Sequence, residues 1–240
     1  MIVIDKDNIG QEVDYEAGCV FLVDKPLDWT SFDVVNKIRF ALRSLYGRKK
    51  FKVGHNGTLD PLASGLLMIF VGKYTKLIPH EENHDKKYES IIKLGATTES
   101  LDREMEEIEL KPYDHVDLQS IEEEAQKFLG ESTQEIPAYS AAKINGRAMY
   151  KLARAGKEFK PKSKQVIIHT VDVKSYDAPF IGLDLLCGKG TYVRAFARDI
   201  GQKLNTSAYL YALRRTEISN YSVEKALTID DICKSINKDN

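Results

Sequence analysis

Apolar residues run uninterrupted or alternate with polar ones in six stretches: residues 20–23, 66–71, 88–94, 166–173, 181–187 and 209–213. Turn-forming residues bound these runs, and the pattern predicts six strands. Four other segments carry helical spacing. Ser31 can cap a helix with Val34, Val35, Ile38 and Leu42 on one face, and Ser120 can open a second that runs through Phe128 and stops at Gly130. A third covers residues 147–155 and ends at Gly156, and Thr191 can cap a fourth whose inner face is Val193, Phe196, Ala197, Ile200 and Leu204. The elements mix without a regular strand–helix–strand rhythm, so the expected class is α+β, a mixed, mainly antiparallel sheet flanked by helices. A single domain over residues 1–240 is expected, with a core over about residues 18–220. Residues 134–165 have little apolar content and read as an arm leaving that core.

Charge changes the picture more than composition does. The net charge is only −1, yet residues 99–135 hold 13 acidic and 3 basic side chains while residues 143–164 hold 8 basic and 1 acidic. The spacing of Arg147, Lys151 and Arg154 puts these three on one helical face, where a polyanion could lie; the alternative from charge alone is a solvated face. Tyr139 and Tyr150 flank the run, and flat rings beside cations suit nucleic acid. With 42% hydrophobic and 30% charged residues the chain has the balance of a globular protein. No apolar run nears the roughly 20 residues of a membrane helix and no signal-peptide pattern opens the chain, so a cytoplasmic protein without membrane attachment is expected. Cys19, Cys187 and Cys233 are odd in number and far apart, which points to buried thiols and to neither disulfides nor zinc.

The densest segment chemically is GHNGTLDPLASG, residues 54–65. Asp60 lies there between apolar neighbours, where a carboxylate must be paired or shift its pKa. The competing reading makes it the cap of a short helix begun by Pro61, and local pattern favours that. His55 stands alone, without a second histidine at metal-ligand spacing. Gly72-Lys73 fails as a phosphate loop, because Leu67 stands where the motif needs glycine and Tyr74 where it needs Ser or Thr. Arg194 and Arg198 occupy the first turns of the fourth helix, the end at which the macrodipole disfavours cations, so Arg194 should have a fixed anionic partner.

The segments GHNGTLDPLASGLL, KKYESIIKLG, IPAYSAAKINGRAMYKLARAG and CGKGTYVRAFARDIGQKL stand in this order, framed by VDKPLDWTSFDVVNKIR and ALRRTEI. Together they resemble the TruB-type tRNA pseudouridine synthases over about residues 20–218. The resemblance implies the pseudouridine synthase fold and isomerisation, without cofactor or metal, of a uridine in the tRNA T-loop, conventionally position 55. It makes Asp60 the nucleophile, Tyr88 the tyrosine that packs on the target base, and Arg194 the arginine that pairs with the nucleophile. Asp102 falls where the family has a second acid within reach of that arginine, His55 where a histidine enters the opened T-loop, and Tyr192 and Leu213 where residues line the uridine pocket. The arm with Arg147, Lys151 and Arg154 corresponds to a thumb-like RNA-gripping insertion. The implied partner is the T-arm stem-loop of tRNA, bound by a monomer. Two features depart from the pattern: Asp28 replaces a usual glycine, and TTESLD at residues 97–102 replaces a more common T-D-T-x-D. Only 22 residues follow Ile218, so the C-terminal RNA-binding domain of the PUA type that many members carry is expected to be missing.

Overall fold

The computed structural model describes residues 1–81 and 83–238. The chain divides into two compact units, residues 1–87 with residues 214 onward, and residues 88–213.

The first unit is built on β1 (Val3–Ile4), β2 (Cys19–Lys25), β3 (Val53–Asn56) and β4 (Ala63–Val71), with α1 (Ser31–Leu45) between β2 and β3 and the short α2 (Ile78–Glu81) after β4. β1 runs parallel to β2, whereas β2 and β3 flank β4 antiparallel, with Cys19 and Val53 both opposite Val71. Residues 66–71 form an unbroken apolar run because both faces of β4 are covered. Leu67, Ile69 and Val71 join Phe21 and Val23 beneath Val34, Val35, Ile38 and Leu42 of α1, while Leu66, Met68 and Phe70 face Val20, Leu22 and Ile218. A C-terminal helix absent from the sequence reading, α6 (Ile229–Lys238), completes the first layer with Ile229, Ile232 and Ile236.

The second unit carries β5 (Lys86–Leu94), β6 (Gly130–Glu135), β9 (Ser163–Asp177), β10 (Phe180–Cys187) and β11 (Ala208–Ile218), in the spatial order β11-β5-β10-β9-β6. β5 enters this unit from the first, and β11 leads back into it. Two helices, α3 (Leu118–Gln126) and α5 (Val193–Lys203), pack on this sheet and on each other, with Phe128 against Phe196 at 4.9 Å between ring centroids. The arm holds β7 (Lys143–Ile144), β8 (Arg147–Ala148) and α4 (Met149–Arg154), and the return to the first unit ends in β12 (Tyr221–Ser222) beside β11.

All six expected strands are present. Every expected helix start moves, and in the three helices with an expected capping side chain that side chain is engaged elsewhere. Thr30, not Ser31, caps α1, accepting from the Asp33 N–H at 3.0 Å. Asp117 caps α3, and Ser120 is the third helical residue of a reciprocal capping box. Tyr192 precedes α5 without a side-chain cap, because the Thr191 hydroxyl donates to Gly188 O at 3.0 Å. The third helix is only α4, and Arg147 lies on β8, so the three basic residues do not share one helical face. Asp60 caps no helix: Ala63 N–H donates to Asp60 O at 3.1 Å in a turn that opens directly into β4. The arm's first residues, 134 and 135, belong to β6.

Candidate active site

In the first unit, the backbone around Asp60 is pinned at three points. Arg215, 1% exposed, donates from Nε to Leu66 O at 2.7 Å and from Nη2 to Gly57 O at 3.1 Å. Ser31 Oγ both accepts from Leu59 N–H at 2.8 Å and donates to Leu59 O at 3.0 Å, which explains why this serine does not cap its own helix. Lys25, fully buried, directs Nζ at Trp29 O (2.6 Å), Pro26 O (2.8 Å) and Pro61 O (3.5 Å), and Asp28 N–H donates to Pro61 O at 2.9 Å. The peptide groups on both sides of Asp60 are thereby fixed, so its carboxylate is presented from a loop with little backbone freedom.

Two buried cations beside this loop set its electrostatics. Burial pushes the Lys25 ammonium down to about 8, and the Asp60 carboxylate acts in the opposite direction, favouring the charged form. Gly65 lets β4 approach Arg215 so closely: at φ +104° a Cβ there would stand 2.2 Å from Arg215 O. His55, on β3 opposite Ile69, has its pKa held below the ordinary histidine value by burial and by Arg215. Its Nδ1 is buried without a hydrogen-bond partner among the described residues.

In the second unit Asp102, the second acid of the sequence reading, lies against Arg194. Arg194, 5% exposed in the first turn of α5, places Nε 3.6 Å from Asp102 Oδ2. It also donates to Ser100 O at 2.6 Å and to Tyr139 O at 2.9 Å. Asp102 is 7% exposed and accepts at Oδ1 from Ser100 Oγ (2.7 Å) and Glu104 N–H (3.0 Å). The TTESLD variation thus supplies a serine hydroxyl that orients the acid. Tyr192 is fixed by Gln134 of β6, whose amide accepts from Tyr192 N–H at 2.8 Å and donates to Tyr192 O at 3.1 Å. Lys164 Nζ lies 4.3 Å from the centroid of the Tyr192 ring, and burial lowers its pKa. Tyr88 is buried on β5, and Leu213 is half-buried on β11.

The arm presents Arg147, Lys151 and Arg154 as exposed residues, but Arg154 is engaged by Glu104 at 2.6 Å. The first unit thus holds Asp60 and His55, and the second holds Tyr88, Asp102, Tyr192, Arg194, Leu213 and the arm. Sequence reasoning missed Lys25, Ser31 as a loop anchor, Gln134 and Arg215. For Lys25 a signal existed: the alternation Cys19, Phe21, Val23 lands on position 25 and points it inward with the others. Among the described residues no group of three or more His, Cys, Asp or Glu could hold a metal ion, and no helix is long and apolar enough to cross a membrane.

The mixed, mostly antiparallel sheet flanked by helices is that of the pseudouridine synthase fold. A chain in the crystal structure of a Cbf5-Nop10-Gar1 complex superposes with a TM-score of 0.69 at 24% identity, covering 92% of this chain and 54% of that one. One from an H/ACA RNP bound to a substrate RNA containing 2'-deoxyuridine gives 0.64 at 23% identity, over 90% and 52%. The chain spans about half the length of these two. Residues 43–193 match the TruB family pseudouridylate synthase N-terminal domain. Curated relatives include tRNA pseudouridine synthase B of Phocaeicola vulgatus, 43% identical over 218 residues, which are 91% of this chain and 93% of that protein. That of Chlorobium luteolum is 45% identical over 217 residues, 90% of this chain and 74% of the relative. The chain belongs to the TruB family of tRNA pseudouridine synthases.

Proposed function

We propose that this chain isomerises a uridine in the T-loop of tRNA, the one conventionally numbered 55, to pseudouridine, with Asp60 as the nucleophile. The observation that carries the reading is the immobilised Asp60 loop: Arg215, Ser31 and Lys25 hold the backbone at residues 57, 59 and 61, leaving one half-buried carboxylate at its centre. The reaction breaks the N1–C1′ bond, turns the captive base, joins C5 to C1′, removes the C5 proton and leaves N1 protonated. It is redox-neutral. One carboxylate suffices where glycosidases use two, because uracil departs as a stabilised anion and no water needs activation.

A stacked and paired uridine must leave the loop before it can react, at a cost of a few kcal/mol. His55 fills the space it leaves, and its depressed pKa keeps the ring neutral and suited to stacking on bases. Tyr88 packs on the flipped base and Tyr192 and Leu213 line its pocket, roles that rest on the family motifs these residues match. Asp60→Asn keeps the shape of the side chain and removes the nucleophile. The expected outcome is loss of pseudouridine from a T-arm stem-loop, measured by base-specific chemical mapping, with RNA binding retained. Conversion near the wild-type rate by Asp60→Asn would overturn the assignment.

A further inference from the structure

A second concentration of positive charge lies in the first unit. A cleft of about 1220 Å³ is lined by eight cationic side chains and only two acidic ones. Six of the cations come from residues 39–52, a stretch with no acidic residue. The fold adds a seventh from the far end of β4, since Val53 pairs with Val71 and Gly72 N–H donates to Lys52 O at 2.9 Å, bringing Lys73 alongside Lys52.

The two acids do little to neutralise them. Asp14 is occupied in a turn, accepting from Glu16 and Ala17 N–H, and Glu16 pairs with Arg48. Among the described residues, Arg43, Lys49, Lys50, Lys52 and Lys73 are exposed and in no ion pair. An ordinary solvated face intersperses the two signs. Same-sign side chains gathered in a concave site repel one another and focus a field that draws in a polyanion.

The cleft offers charge without stacking platforms. Its one aromatic residue, Phe51, lies against Tyr46 in a tilted pair with ring centroids 5.1 Å apart and packs against the core. Single strands are gripped by cations together with exposed rings, whereas an RNA duplex is held through its phosphates and sugars. The cleft also adjoins the strand that carries His55, since Val53 and Gly54 of β3 line it. The four residues of β3 span about 13 Å, a few nucleotides' reach.

We propose that this cleft is a second RNA-binding surface, which takes the phosphate backbone of a duplex stem in the substrate RNA independently of the arm. The choice of RNA rests on the functional reading above, so the test measures binding and not turnover. Replacing Lys49, Lys50, Lys52 and Lys73 together by Gln removes four exposed cations without touching the core. The probe is a short RNA duplex without a loop, titrated at several salt concentrations beside a single-stranded oligouridine. The slope of log affinity against log salt should fall by about 3 for the duplex, at 0.7–0.9 for each lost phosphate contact. Glu16→Gln, which releases Arg48, should tighten duplex binding and steepen the slope, and replacing the four lysines by Arg should preserve both. An unchanged slope in the Gln variant, no duplex binding by the wild-type protein, or an equal loss on oligouridine would each overturn the proposal. Because the duplex contains no modifiable loop uridine, failure of the catalytic assignment would leave this result standing.

Discussion

Asp28 has φ +64°, in the left-handed region where a Cβ is disfavoured. That conformation aims its N–H at Pro61 O and so helps fix the Asp60 loop, which explains why a glycine is usual at this place in the opening motif. Asp28→Gly should relieve the steric cost while keeping the backbone hydrogen bond, raising stability by about 0.5–1 kcal/mol. A shift of the urea midpoint to higher concentration at constant slope is the expected result. A lower midpoint would mean that the Asp28 carboxylate, through its attraction for Lys25, outweighs the strain.

One amide joins β6 to the residue that precedes α5. Gln134 is 4% exposed and answers both polar backbone groups of Tyr192, the residue before α5, where no side-chain cap exists. Two further contacts tie the same segment to α5: Arg194 donates to Tyr139 O, and Arg198 lies 3.2 Å from Glu135. Gln134→Leu would keep approximate volume while leaving a donor and an acceptor unanswered, a cost of about 2–4 kcal/mol. Chemical denaturation reads this directly, and a loss below 1 kcal/mol, about the net worth of a single hydrogen bond, would show that the backbone finds other partners. The legibility of elements follows the same logic. The run 66–71 was readable because both faces of β4 are buried, and α6 had a readable signal in the spacing of Ile229, Ile232 and Ile236. β3, with the sequence VGHN, had none, because its strand character comes from pairing with β4.

At the scale of the whole molecule, stability should depend on pH through His55. Burial and Arg215 hold its folded-state pKa below the ordinary 6.5, so below that pH the unfolded chain takes up a proton that the folded protein resists. The associated stability is full above pH 6.5 and is lost as the pH falls toward the folded-state value. Urea midpoints measured from neutral to mildly acidic pH should therefore decline less in His55→Phe than in the wild type. Parallel declines would mean that other groups govern the acid limb.

Alternation and helical spacing in the sequence determined the six main strands and the buried faces of α1 and α5, because side-chain period and local turn chemistry act between near neighbours. The motif around Asp60 was equally legible, since it is contiguous. Only the tertiary structure decided which charges went inside. Lys25 and Arg215 belong to residue types that normally face water, and they are buried here because the fold brings the carbonyls of residues 57, 61 and 66 to meet them, with those of residues 26 and 29 added by the turn after β2. Arg194 required an anion by its place on a helix, yet Asp102, 92 positions earlier in the chain, became its partner only through folding. The cationic cleft arose in the same way, from a basic run after α1 and a lysine after β4 that the register of β3 against β4 sets side by side.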